Sequence, residues 1–115
     1  MKARDDIAFL AGSEIRVDIL RALRSETARP SELAAECSCA RETAQRAVSA
    51  FVDRGWAEKV STEKGYRLTR AGELVAGGYD EFEQCVVASN QFRDLLANLG
   101  TISERIDCDI LSDVT

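Results

Sequence analysis

A run of polar side chains at residues 41–49 carries the most specific chemistry in this sequence. An arginine can donate two hydrogen bonds to guanine, a glutamine amide can form two with adenine, and a glutamate can accept from cytosine N4. A threonine at the start of a helix can bind a phosphate, helped by the positive helix N-terminus. The candidate base- and phosphate-contacting residues of this run are Arg41, Glu42, Thr43, Gln45, Arg46 and Ser49.

A second set of cations, Lys59, Lys64 and Arg67, follows in a stretch whose pattern is that of two short strands. Such side chains suit contacts with phosphates, which position a protein on DNA without reading its sequence. Taken alone, the polar pattern at residues 41–49 favours an ordinary solvent-exposed helix face with Arg/Glu pairs. The order of the surrounding helices and strands is therefore needed to distinguish a DNA-contacting helix from an ordinary exposed one.

Two helices are predicted before the polar run. The first spans residues 13–25, with Ser13 as N-cap and apolar residues at three- and four-residue spacing, and residues 7–10 form a short leading turn. The second is short, with Ser31 as its cap, and ends near Cys37. A three-residue turn then leads into the polar run.

The third helix is predicted over residues 40–54, and Gly55 follows it where a left-handed residue commonly ends a helix. Loose alternation predicts strands over residues 56–61 and 66–69, joined as a hairpin. Thr69 is expected to cap a fourth helix. The residues predicted to face inward from the third helix are Ala44, Ala47, Val48, Phe51 and Val52.

The order of two helices, a tight turn, a helix and a hairpin resembles a winged helix-turn-helix. Several stretches resemble archaeal, haloarchaeal-type winged-helix transcription regulators over about residues 7–76. These stretches are FLAGSEIRVDILRAL at 9–23, PSELA at 30–34, RETAQR at 41–46, DRGW at 53–56 and YRLTRAGEL at 66–74. The fold is thus expected to be α+β, mainly α, with a two-stranded wing and a long C-terminal helix.

The resemblance implies a sequence-specific DNA-binding regulator without enzymatic activity. The helix at 40–54 would enter the major groove of double-stranded DNA, and the wing at 56–69 would contact the backbone. The implied division is a DNA-binding domain at 1–76, a dimerisation helix at 77–100 and a tail at 101–115. That tail resembles the linker that leads, in larger archaeal regulators, into a ligand-sensing domain, so the sequence is interpreted as the N-terminal part of one.

The fourth helix is predicted to end before Gly100, and it carries more apolar surface than a single helix can bury. The residues expected to pack on a second copy are Phe82, Val86, Phe92, Leu95, Leu96 and Leu99. Related regulators commonly dimerise through this helix. The alternative is packing within the chain against the apolar residues of 101–115.

Two other functions stay open. Winged helices also serve as protein-interaction modules. A thiol or metal sensor is suggested by Cys37 and Cys39, since sensors of the ArsR type carry a Cys-x-Cys pair. However, their pair lies within a helix, whereas this one lies at a turn with no third ligand nearby. The pair is therefore interpreted as turn packing, and no metal or cofactor is predicted.

Composition excludes several classes of catalytic site and of protein. The chain has no histidine, which removes histidine-dependent catalytic triads and metal sites, and no apolar run long enough to cross a bilayer. Without a signal-peptide pattern, a cytoplasmic location is expected. With 12 Arg, 3 Lys and 16 Ala, the composition resembles that of halophilic archaea, or simply a GC-rich genome.

The net charge of −5 first argues against a nucleic-acid partner, since DNA-binding proteins usually carry a basic excess. The charge is unevenly distributed, however. Residues 1–72 carry 13 basic and 11 acidic side chains, for a net charge of +2, and residues 73–115 carry 2 and 9, for −7. The acidity is concentrated beyond residue 72, on the predicted fourth helix and the tail, and does not exclude DNA.

Overall fold

The computed structural model describes residues 3–61 and 65–103. The elements in chain order are α1 (Ala3–Ala11), α2 (Glu14–Ser25), α3 (Pro30–Cys37), α4 (Arg41–Asp53), β1 (Ala57–Val60), β2 (Gly65–Leu68) and α5 (Arg70–Ser103). The predicted fold class is confirmed: a mainly helical winged helix-turn-helix with a two-stranded antiparallel hairpin and a long C-terminal helix. The chain divides into two compact units between Gly78 and Tyr79.

The N-terminal end of each early helix follows from its local sequence. Ser13 caps α2 as predicted, and its hydroxyl accepts a hydrogen bond from the Arg16 amide at 3.3 Å. The predicted cap of α3 is wrong: Arg29 is the N-cap, and its amide donates to the Glu32 carboxylate at 2.9 Å. The reason is Pro30: proline favours the first helical position, so the cap falls on Arg29, two residues before the predicted Ser31.

Two further predictions are corrected. Residues 7–10 form no isolated turn but belong to α1, a helix of nine residues. α5 does not end before Gly100 but continues to Ser103. A glycine inside a helix costs only about 1 kcal/mol relative to alanine, so it weakens the helix without ending it.

The core of the first unit lies between α2, α3 and α4. Phe51, Ile19, Leu20, Leu33 and Val48 are its largest fully buried side chains. Val52, predicted to face inward, is instead 39% exposed. Its position at the end of α4, past the turn that Phe51 anchors, places it at the rim of the core.

The hairpin is tied to the rest of the first unit at both ends. Ala57 pairs with Leu68, and both are buried. Ala28 adds a single antiparallel bridge to Tyr66, with reciprocal backbone hydrogen bonds of 2.8 and 3.0 Å. Thr69, capping α5 as predicted, accepts a hydrogen bond from the Gly72 amide at 3.1 Å. The Trp56 amide, just before β1, donates to the Phe51 carbonyl at 2.8 Å, which holds the wing beside the end of α4.

Candidate nucleic-acid interface

α4 presents a polar face to solvent because most of its apolar side chains are buried in the core. Ala44 and Val48 have no exposed surface, and Ala47 is 4% exposed. α3 and α2 both pack on this side of the helix. The side chains that remain exposed on the opposite face are Arg41, Glu42, Gln45, Arg46 and Ser49. The helical period alone thus places five of the six predicted residues together.

The two arginines on this face are not used by the fold. Within residues 3–61 and 65–103, neither Arg41 nor Arg46 forms a hydrogen bond or an ion pair. Together with Glu42 and Gln45 they line an open concavity of about 420 Å³. The Gln45 amide donates to the Ser49 hydroxyl at 3.1 Å. Guanidinium and amide groups therefore lie side by side, and most of their donors and acceptors have no partner among the residues described.

Thr43 differs from these five residues because it is less exposed. It is half-buried and, with Arg46, lines a second cavity of about 330 Å³ whose other wall includes Ser13 and Arg16 near the start of α2. The predicted contact of Thr43 with a phosphate therefore concerns the edge of α4 that adjoins α2, and not its open face.

A cluster that the sequence analysis did not predict holds the end of α4. Arg54, the C-cap, donates from Nε to the Asp6 carboxylate at 3.0 Å, and its guanidinium lies 3.7 Å from the centre of the Phe9 ring. Arg16 covers Phe9 at 4.1 Å. Phe9 in turn meets Phe51 edge-on, with ring centres 6.3 Å apart. The cluster fixes α1 against α4, and no local sequence pattern indicated it, because Asp6 and Arg54 are 48 positions apart.

The wing displays its cations on two different faces. Lys59 is exposed and unpaired within the described ranges, and it shares its face of β1 with the buried Ala57. Arg67 lies on the opposite face, where its Nε donates to the Glu58 carboxylate at 2.8 Å. Lys64 lies outside the described residues. The expected phosphate-contacting set is therefore divided, and one of its members already has an anionic partner.

The sequence of the chain also matches a known protein family. The model named HVO_A0261 N-terminal domain matches residues 4–91, which is most of the chain. The chain belongs to the HVO_A0261 N-terminal domain family. The match begins at the second residue of α1, covers every element from α2 to β2 and continues into the second unit. No curated protein sequence matches the chain.

Solved structures support the same fold for this family member. A variant of ZitR from Lactococcus lactis superposes with a TM-score of 0.57 at 11% identity, covering 89% of this chain and 72% of that one. The transcriptional regulator Tm0710 from Thermotoga maritima gives 0.52 at 22% identity, covering 87% and 82%. The MarR family transcriptional regulator SPO1453 from Silicibacter pomeroyi gives 0.54 at 20% identity, covering 98% and 83%. At these identities the likeness establishes the fold.

The cysteine pair of this family member, predicted to lie at the turn, is divided: Cys37 is the last residue of α3, and Cys39 lies in the turn before α4. Ser38 adopts a left-handed conformation with φ of 54°, and the Cys39 amide donates to the Ala34 carbonyl at 3.0 Å, which closes the turn. Burial raises the pKa of the Cys37 thiol, and Asp18 raises it further. A raised pKa is the opposite of what thiolate-based sensing needs. Among the residues described, no three potential metal ligands cluster.

The second unit of this family member exposes apolar side chains along α5. All six residues predicted for dimerisation are exposed, from 37% for Leu96 to 65% for Phe82. Residues 104–115, which carry most of the predicted tail, lie outside the described residues. Among the helices that the structure describes, none is long and apolar enough to cross a membrane.

Proposed function

We propose that this protein is a sequence-specific DNA-binding transcription regulator without enzymatic activity, acting in the cytoplasm on double-stranded DNA. The observation that carries the proposal is the exposed face of α4, on which Arg41 and Arg46 lie beside Gln45 and have no partner among the residues that the structure describes. α4 would lie in the major groove, and the wing would follow the backbone. The fold shared with transcriptional regulators supports the same function.

The roles of the side chains follow from their chemistry. Arg41 and Arg46 suit guanine, Gln45 suits adenine, and Glu42 suits cytosine N4. Ser49 holds the Gln45 amide through its hydroxyl and so restricts the direction in which Gln45 can read. Thr43 and Lys59 suit phosphates, which set the register of the protein on the duplex.

The test is duplex binding by Arg46→Ala and Arg41→Ala, measured by fluorescence anisotropy with labelled genomic fragments. A good bidentate contact is worth about 1–3 kcal/mol, so each substitution should weaken binding to the preferred fragment by roughly 5- to 150-fold. Binding to an unrelated duplex should fall much less. Arg93→Ala is the matched control, because it removes the same charge from the second unit.

The proposal fails if the unaltered protein shows no salt-sensitive duplex binding at low ionic strength. It also fails if Arg93→Ala weakens binding as much as Arg46→Ala, since the effect would then be one of net charge. A folded protein that binds no duplex would instead favour the use of this winged helix as a protein-interaction module.

We further propose that the protein acts as a homodimer through α5. The support is the exposed apolar series of α5, which includes Phe82, Val86, Phe92, Leu95 and Leu99 in addition to Leu96. A two-fold dimer would present two α4 helices to half-sites about one turn of DNA apart. Light scattering should give twice the chain mass, and Leu96→Glu should restore the mass of one chain. A monomer at high concentration would refute the dimer.

A further inference from the structure

On the wing, Arg67 forms an ion pair with Glu58, whereas the α4 arginines have no partner among the residues described. Glu58 and Arg67 face each other directly across the two strands of the hairpin. The Arg67 Nε lies 2.8 Å from the Glu58 carboxylate, although both side chains are about half exposed to solvent. The pair therefore lies in the open and not in the core.

An exposed pair of this kind contributes little to stability, because water screens both charges. Its larger consequence concerns any anion that approaches the wing. A phosphate would have to share or displace the Glu58 carboxylate to gain the full charge of Arg67. The α4 arginines impose no such exchange, because neither has a partner among the residues described.

We propose that Glu58 competes with the DNA backbone for Arg67, so that the pair adds no net charge to the interface and weakens binding to every duplex. The inference rests on the proposed function, since it concerns the same interface. Phosphate contacts carry no sequence information. Glu58 therefore lowers the sequence-independent part of the affinity and leaves base reading to α4.

The experiment measures the salt dependence of binding to a duplex of unrelated sequence. The logarithm of the binding constant falls with the logarithm of salt concentration, with a slope of about −0.9 for each phosphate neutralised. Glu58→Gln keeps an oxygen acceptor for Arg67 but removes the charge. It should steepen the slope by about 0.9 and tighten binding by at least about twofold at low salt.

Two further variants complete the design. Arg67→Gln should make the slope shallower, because it leaves the Glu58 carboxylate facing DNA. Glu58→Gln combined with Arg67→Gln should return the slope to that of the unaltered protein, since both have no net charge at this position. The matched control is Asp94→Asn, which removes an exposed carboxylate of the second unit and should leave the slope unchanged.

Each outcome has a distinct meaning. If Glu58 instead orients Arg67 for DNA, then Glu58→Gln leaves the slope unchanged or weakens binding, and the inference is overturned while the DNA-binding function stands. An equal effect of Asp94→Asn also overturns it, because the cause would be overall charge. If the unaltered protein does not bind duplex at all, both the inference and the proposed function fall.

Discussion

Thr69 joins three parts of the first unit through one hydroxyl group. The hydroxyl donates to the Gly55 carbonyl at 2.6 Å and accepts from the Gly72 amide at 3.1 Å. Gly55 follows α4, Thr69 ends the hairpin, and Gly72 lies in the first turn of α5. Thr69→Val keeps the shape of the side chain and removes both hydrogen bonds.

The cost can be worked from the two bonds. Loss of an N-cap costs about 1 kcal/mol, and a further hydrogen bond contributes about 1 kcal/mol. The free energy of unfolding should therefore fall by about 2 kcal/mol. For a unit of this size, 1 kcal/mol corresponds to about 4–8 °C in Tm, so the expected loss is about 8–16 °C. Thermal unfolding followed by circular dichroism measures it.

The matched control is Thr69→Ser, which retains the hydroxyl and should keep most of the stability. A Tm for Thr69→Val within two or three degrees of the unaltered protein would refute the reasoning, because it would mean that neither bond contributes. A loss in Thr69→Ser would measure the contribution of the methyl group, which Thr69→Val retains, so the loss in Thr69→Val would still be assigned to the hydroxyl. Since α4 and the wing meet at this residue, duplex affinity should fall with stability in Thr69→Val.

Three other substitutions test the packing and the electrostatics. Gly72→Ala should destabilise the protein although alanine favours helices, because its Cβ would overlap the Trp56 carbonyl. The Cβ of Gly78→Ala meets nothing within 4 Å, so this substitution should raise the free energy of unfolding by up to about 1 kcal/mol. Urea unfolding of both variants measures the difference. Asp18→Asn should lower the pKa of the Cys37 thiol, because it removes one cause of the rise. Alkylation of Cys37 at pH 8, followed by peptide mass spectrometry, should then be faster, and an unchanged rate would contradict that cause.

Patterns that are local in sequence predicted most of the fold. The cap at Ser13 and the apolar spacing after it predicted α2, and the alternation at 56–61 and 66–69 predicted the hairpin, although Gly65, expected in its connection, pairs with Val60 in β2. Gly55 has a φ of 78°, as a residue after a helix end needs. The exposed face of α4 also followed from the helical period. These features depend on neighbours within one or two helical turns.

Features that depend on distant partners were not predictable. Arg54 and Asp6 are 48 positions apart in sequence, so no local pattern links their charges. The Glu58–Arg67 pair depends on the register of the hairpin, since a shift by one residue would place Arg67 on the other face. The extra length of α5 past Gly100 reflects how small the cost of one glycine is against a long helix.

The net charge of the chain does not show how many of its arginines are available to a ligand, because several have partners within the fold. Arg16 donates to the Phe9 carbonyl, and Arg54 binds Asp6, so these guanidinium groups hold the fold. Arg67 is neutralised by Glu58. Among the residues that the structure describes, the cations that the proposed DNA interface can use without breaking an ion pair are Arg41, Arg46 and Lys59. Under the proposed function, so few available cations predict weak sequence-independent binding, and we expect base contacts from α4, doubled in the proposed dimer, to provide most of the affinity.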